Sequence, residues 1–475
     1  MILRSQRKTR AWASLPAEIR IMILEEIAHQ KHPGWASFAA VCKEWQFYLE
    51  KNNFHRLKLQ ASCLNHFEHM VIRQRELVRH VSLSIELPRY TCQYCRCPET
   101  RHQSSRNDSI IRTAIWKLFS ILGTWKPANS LTLELTAYSP SDSKHWFKHF
   151  HFTSDLEDTA DMASENPGQQ RKTGARWHDP AHGWINGQRA ESPEHSATSR
   201  LFREIDLHFQ DELPRVDAVT SFIIRRQLRH RFRPRALQLV LDKLPRLESI
   251  IYEPWRALTL SGQHVYDNYL PKTLKRLSIL EDFIYDPSVM SRLPWWPHVP
   301  DCRIPTRRVG AAFALKSLDL EQLSVSYMIE ANHFFRACEP SWTWQHLQSL
   351  ALTSGLLAHA RSHEQIHVLL YTAGAAALRM PRNACAFVYR AGKGCSSITW
   401  RGTWDLEFRP DVVEVWQGVA SKFHSTKLQI ERERVEGIIS SHGDAIHHLE
   451  LPCRVVDPRS LWQIRRESED SGQLR

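Results

Sequence analysis

The amino-acid sequence predicts a mixed α/β fold, in which a small N-terminal helical module precedes a longer body of alternating strands and helices. Two patterns carry this expectation. Apolar residues recur as apolar-x-x-apolar-x-apolar at Leu247/Ile250/Tyr252, Leu274/Leu277/Ile279, Leu320/Leu323/Val325 and Leu347/Leu350/Leu352, and successive runs start 27, 46 and 27 residues apart. Ahead of them, Trp12 to Phe54 carries its apolar residues at helical spacing. A period in the twenties with Leu-x-x-Leu-x-Leu is the pattern of leucine-rich repeats, where each strand and its following helix bury a face only by stacking on neighbours. The body is therefore read as an irregular, leucine-rich-repeat-like α/β solenoid.

Residues 1–10 form a basic lead, and no apolar run of the kind that makes a secretory signal follows it. The helical module spans 11–56. Leu15-Pro16-Ala17-Glu18-Ile19 opens a helix, because proline is tolerated in the first turn and Glu18 sits at the positive end of the dipole. Ile19, Ile23 and Ile27 line one face with Met22 and Leu24 alongside, and Lys31-His32-Pro33-Gly34 ends it. Trp35, Phe38, Val41, Cys42, Trp45 and Leu49 mark a second helical stretch. Some 45 residues of short helices hold too little core to bury all this apolar surface alone, so a partner surface is expected.

These residues resemble the F-box. The family opens on Leu-Pro, Glu and Ile, continues with Ile-Leu in mid-helix, and later has Val-Cys-Lys-x-Trp. Here these are Leu15-Pro16, Glu18-Ile19, Ile23-Leu24 and Val41-Cys42-Lys43-Glu44-Trp45. The resemblance implies docking onto a Skp-type adaptor, and through it onto a cullin, with Leu15, Pro16, Ile19, Ile23, Leu24, Val41 and Trp45 in or supporting the interface. Ala376-Ala377-Leu378-Arg379-Met380-Pro381 and Ser397 to Asp405 look like a C-terminal region shared by a group of fungal F-box proteins of unknown target. The chain departs from that pattern after Pro381, where it passes almost directly into Phe387-Val388-Tyr389-Arg390 and lacks about one strand's worth of residues, so the completeness of the last repeat is open.

The first part of the body is read over 57–153, where Val78/Val81/Leu83 and Ala128/Leu131/Leu133 continue the strand series. Residues 154–199 are rich in Ser, Glu, Gln, Gly, Pro and His and nearly free of aliphatic residues, so a disordered polar insertion is expected. The body resumes at 200–475 with Phe202/Ile205/Leu207 as a further strand and Leu449-Glu450-Leu451 as a last one. Helices are predicted over Ser109–Leu122, Ala218–Leu228 and Ala331–Ala337. The proline-rich stretch 286–300 reads as a loop, and its Trp295-Trp296 pair is a candidate anchor for a target.

The chain has 475 residues and a net charge of +12, which permits an acidic partner without demonstrating one. The densest basic stretch, Arg225 to Arg235, reads either as a solvated face or as a footprint for such a partner. Ten scattered cysteines do not form a disulfide framework, so a reducing compartment, cytoplasm or nucleus, is expected. Cys92, Cys95, Cys97 and His102 form a candidate zinc set, with free loop thiols as the plainer reading. Gly392 to Ser397 lacks the order of a phosphate-binding loop and fits a hairpin turn between 387–390 and 398–404.

No catalytic constellation emerges, so no enzyme and no cofactor are expected. The reading is a substrate-recognition adaptor of an SCF-type ubiquitin ligase, holding a protein target on the body by proximity. The alternatives are a nucleic-acid-associated basic protein and an F-box scaffold that directs no degradation. No membrane partner is expected, and the target and its binding surface stay unknown.

Overall fold

The computed structural model describes residues 12, 14–30, 34–126, 130–152, 182–185, 188–191, 193–255, 270–282, 306–357, 363–380, 388–391, 396–424, 427–436, 439 and 441–472. The N-terminal module consists of α1 (Ala17–Gln30), a short 3-10 turn over Trp35–Ala40 and α2 (Lys43–His55). Helix α2 runs without a linker into strand β1 (Arg56–Gln60).

The body is built on one sheet of eight strands: β1, β2 (His80–Glu86), β3 (Leu131–Tyr138), β7 (Val219–Ile224), β9 (Ser249–Tyr252), β10 (Arg276–Leu280), β11 (Gln322–Ser326) and β12 (Ser349–Leu352). They lie side by side in chain order, and every pairing is parallel. The two-residue strands β4 (Trp184–Ile185), β5 (Gln188–Arg189), β6 (Glu204–Ile205) and β8 (Arg231–Phe232) pair among themselves, outside this sheet. Parallel neighbours need crossovers. These carry α3 (Leu64–Met70), α4 (Arg101–Leu122), α5 (His195–Leu201), α6 (Pro234–Leu241), α7 (Arg307–Lys316) and α8 (Ala331–Ala337).

Register explains why the repeated pattern is apolar. Leu57, Val81, Leu133, Phe222, Ile250, Leu277, Leu323 and Leu350 form one continuous row across all eight strands. Ile224, Tyr252, Ile279, Val325 and Leu352 form the next row across the last five. Both rows share the main apolar core with the inward faces of the crossover helices other than α5, whose Ala197 and Leu201 lie in a separate cluster with Trp146 and Phe152. Each buried aliphatic side chain contributes about 1.5–3 kcal/mol, so a one-residue slip would expose a whole row.

After β12 come α9 (His363–Ala377), β13 (Val388–Ala391), β14 (Ser396–Gly402), α10 (Pro410–His424) and β15 (Leu428–Arg434). β13 and β14 form the expected antiparallel hairpin, and β14 pairs parallel with β15. Helices α11 (His442–Leu449) and α12 (Pro458–Gly472) close the chain, giving twelve helices among the described residues. None of them is long and apolar enough to cross a membrane.

Several expectations are corrected. The predicted helix over Ala218–Leu228 is strand β7 followed by a turn. Its β-branched and aromatic run Val219, Thr220, Phe222, Ile223 and Ile224 suits a strand buried on both faces, which shows no period of two. Ile205 lies in β6, which pairs with β8 and not with the main sheet. Leu449 ends α11, and Glu450 adopts a left-handed conformation with φ of 42°, so Leu449–Leu451 is a helix end and not a strand. The polar insertion expected over 154–199 is structured where 182–199 is described, with buried Trp184 and Ala197 and the start of α5. Residues 1–10, 286–300, 381–387 and 392–395 lie outside the described residues, and with them Trp295-Trp296.

Helices α7 and α8 approach closely at Gly310. A Cβ added at Gly310 would lie 2.8 Å from His333 Cβ and 3.1 Å from its carbonyl carbon. Gly310→Ala is expected to destabilise the fold by about 1–3 kcal/mol. Gly418→Ala in α10, whose added Cβ meets only Leu378 Cδ2 at 3.7 Å, is expected to be neutral or stabilising by up to about 1 kcal/mol. Denaturant unfolding of the two variants separates these outcomes.

Candidate functional site

Glu44 at the start of α2 fixes the geometry of the N-terminal module. It accepts hydrogen bonds from Trp12 Nε1 and Arg20 Nε, both at 2.9 Å, and Arg20 also donates to the Leu15 carbonyl at 2.8 Å. The Trp12 indole and the Arg20 guanidinium hold the Glu44 carboxyl below its ordinary value. Trp45 is half-buried against the rings of Trp12 and Phe38, with centroids 5.2 and 6.1 Å away.

The residues expected to dock an adaptor divide into two sets. Leu24 is buried, and Leu15, Ile23 and Trp45 are half-buried, so they build the module. Pro16, Ile19 and Val41 are exposed, Val41 by 61%. Met22 and Phe47, 60% and 74% exposed, add apolar surface that the motif alone did not single out. At the other end of α2, the His55 carbonyl accepts from Arg79 N at 3.0 Å, and Phe54 packs on the main core. The module is thus seated directly on the first two strands.

The second feature is the sheet face opposite the crossover helices. Thr132, Ser221, Ser249, Arg276, Gln322 and Ser349 form one row there, and Ser278 and Ser324 sit in the row beside it. Small polar side chains leave room for the C-terminal segment to lie on this face. Val455, Val456 and Ile464 pack with Leu280 and Ala351 in a separate apolar cluster. A groove of about 480 Å³ remains, with Arg276, Ser278, Gln322 and Ser324 on the strand side and Cys453 and Arg454 on the other.

Buried charge holds that segment in place. Arg226 follows β7 and pairs with Asp282 and, at 2.9 Å, with Glu467 of α12. Arg229 also pairs with Glu467, and Arg225 bridges Glu134 of β3 and Asp457 at 3.1 Å. The Glu253 carboxylate accepts from Ser460 Oγ and from Asp457 N, the latter at 2.8 Å. Arg229 lies over Phe150 and Trp255 at 4.2 and 4.4 Å from the ring centroids. The basic stretch 225–235 is therefore neither a solvated face nor a footprint over its first half. Arg225, Arg226 and Arg229 are buried, and Arg231 and Arg233 pair with Glu204.

Residues 269–457 match a protein family of unknown function, DUF6546. That span runs from just before β10 to Asp457, so it includes most of the groove lining and stops short of the N-terminal module. No curated protein matches the chain.

The third feature is the loop after β2. Cys95 is buried and its thiol donates to the Cys92 carbonyl at 3.1 Å. Burial pushes the Cys95 thiol above its ordinary value. The expected set Cys92, Cys95, Cys97 and His102 is not brought together. Among the described residues, Cys92 instead meets His145 and His182. Sequence spacing gave no signal for this, because the partners come from two other segments.

The buried network sets the response to pH. Burial alone would raise Asp282 and Glu467, but Arg226 overcomes it at both and Arg229 adds to it at Glu467, so both carboxyls stay below their ordinary values. Their contribution is present above the unfolded-state value and lost as pH falls through the folded one. Glu253 is opposite: burial and the Asp457 charge push it up to about 7. Its contribution is present below 4.5, the ordinary value, and lost as pH rises toward 7. Stability is thus expected to fall steeply in acid and to decline gently toward neutrality, with Glu253→Gln flattening only the neutral limb. Glu467→Ala leaves Arg226 and Arg229 short of a counter-charge and is expected to cost about 3–5 kcal/mol. Denaturant midpoints measured across pH test both statements.

Proposed function

We propose that this chain is a substrate-recognition adaptor of an SCF-type cullin ubiquitin ligase: its N-terminal module is an F-box that docks a Skp-type adaptor, and its body is a degenerate leucine-rich-repeat-like solenoid that holds a protein target. The observation that carries the reading is how many apolar side chains so short a module leaves exposed, Pro16, Ile19, Met22, Val41 and Phe47 among them, while Leu24 and Leu49 are buried. Single exposed apolar residues need no explanation, but several within one short module suit a protein interface. Three of the five are positions the F-box resemblance assigns to docking.

The solenoid reading is supported by the all-parallel sheet in chain order. The mechanism is proximity: adaptor and target are held on one body, which raises the effective concentration of target near the ubiquitin-charged enzyme. For that, the module must be fixed relative to the body, and the direct passage of α2 into β1 meets this requirement. The polar groove beside the C-terminal segment is where the target would sit. Its open-faced Arg276 and Arg454 suit an acidic segment.

Ile19→Asp and Val41→Asp alter exposed side chains and should leave the fold intact. Each is expected to weaken binding to a purified Skp-type adaptor by about 10-fold or more, roughly 1.4 kcal/mol. Pull-down of the tagged chain from a lysate, beside the Leu15-Pro16→Ala-Ala variant, should recover adaptor and cullin with the first chain only. Wild-type adaptor affinity in both folded aspartate variants would overturn the docking assignment.

A further inference from the structure

Three segments distant in sequence meet at the carboxyl ends of β2 and β3. Cys92 comes from the loop after β2, His145 from the segment after β3, and His182 from the turn before β4. Their ligand atoms all lie within 4.8 Å of one another, and Cys92 Sγ is 3.6 Å from His145 Nδ1. Around a tetrahedral zinc, with Zn–S near 2.3 Å and Zn–N near 2.0–2.1 Å, ligand atoms sit about 3.5 Å apart. One pair is already at that spacing, and a shift of about 1 Å brings in the third.

The surroundings point to a ligand. His182 is 4% exposed, yet its Nδ1 has no hydrogen-bond partner among the described residues. A buried nitrogen left unpaired costs about 1–3 kcal/mol, and an ion is one of the few explanations for keeping it. The Tyr90 ring stacks on His145 with centroids 5.3 Å apart, and Tyr90 is itself fixed by Ser141 and Asp142, at 3.0 and 2.9 Å. Such outer partners orient metal-bound histidines. His182 is aimed by Gly183, whose φ of 76° favours glycine and where an added Cβ would come within 2.9 Å of the Trp146 ring. Trp146, Phe147 and Phe152 form an apolar wall beside the cluster.

We propose that Cys92, His145 and His182 bind one zinc ion, which staples the loop after β2, the segment after β3 and the hairpin of β4 and β5 to one another. One thiolate and two imidazoles are a donor set that zinc accepts, and the exposure of Cys92 leaves the fourth position to water. Cys95, Cys97 and His102 take no part in it. The site is independent of the adaptor reading and stands or falls on its own measurement.

The test uses the full chain, freed of metal with a chelator and titrated with zinc, and separately with cobalt(II) as a spectroscopic probe. One equivalent should bind, and the cobalt form should show tetrahedral ligand-field bands with a thiolate charge-transfer band. Cys92→Ser should abolish the charge-transfer band. His145→Ala and His182→Ala should each weaken zinc binding by more than the roughly 10- to 100-fold that loss of an outer-shell partner costs. Cys97→Ser and His102→Ala should bind as wild type, and chelation should lower the melting temperature of wild type but not of Cys92→Ser. If the folded wild-type chain takes up no zinc, or if Cys92→Ser and His182→Ala bind it unchanged, the proposal fails. Loss of binding in Cys97→Ser and His102→Ala with retention in His182→Ala would move the metal to the other set.

Discussion

Arg226 sits at the end of β7 with Asp282 on one side and Glu467 on the other, all three buried. Taking a guanidinium out of water costs several kcal/mol, and only closely placed opposite charges offset it. The pairing therefore ties three separate pieces of chain: the middle of the sheet, the end of β10 and the last helix. Arg225 repeats the arrangement with Glu134 and Asp457, and Glu253 collects donors from the same helix start. Hydrophobic contact alone would let α12 slide on the sheet, since apolar packing has little directional preference. The ion pairs fix its register. With α12 fixed, Val455, Val456 and Ile464 come to rest on Leu280 and Ala351, and the groove beside them acquires its second wall.

An all-parallel sheet is rarely left open on both faces. Here the two faces are covered by different physics. The crossover helices cover one through the continuous leucine and isoleucine rows. The other carries serine, threonine, glutamine and Arg276, with Leu280 and Ala351 among them, and among the described residues it is partly covered by a segment that arrives from the end of the chain. A face of small polar groups admits a second chain at close range without a large desolvation cost. On the adaptor proposal, that is why a target would engage this side of the body and not the helix side.

The sequence made some of this legible and hid the rest for identifiable reasons. The runs starting at 247, 274, 320 and 347 were readable because each strand is apolar on one face and polar on the other, with a leucine fixed three residues ahead. β7 was misread because Phe222, Ile223 and Ile224 are buried on both faces, which erases the period of two and leaves spacings a helix also satisfies. The arginines at 225, 226 and 229 looked like a surface patch because their counter-charges lie as far away as Glu467. Cys92 drew attention through its near neighbours Cys95 and Cys97, but its spatial neighbours come from the crossover beyond β3. In each miss, the deciding partner was distant in sequence, where local periodicity carries no information.

The N-terminal module shows the same division in reverse. Its motif residues are local and were readable at once, but their roles were not equal. Leu24 is sealed inside and Trp45 is wedged between Trp12 and Phe38, whereas Ile19 and Val41 face outward. A motif records both the residues that build a surface and those that present it, and only burial separates them. Leu24 preserves the shape of the module, and its loss would remove any docking indirectly. Ile19 and Val41 have no structural duty that burial reveals. Their apolar character is unexplained by the fold itself, and that residue of explanation is the physical content of the docking proposal.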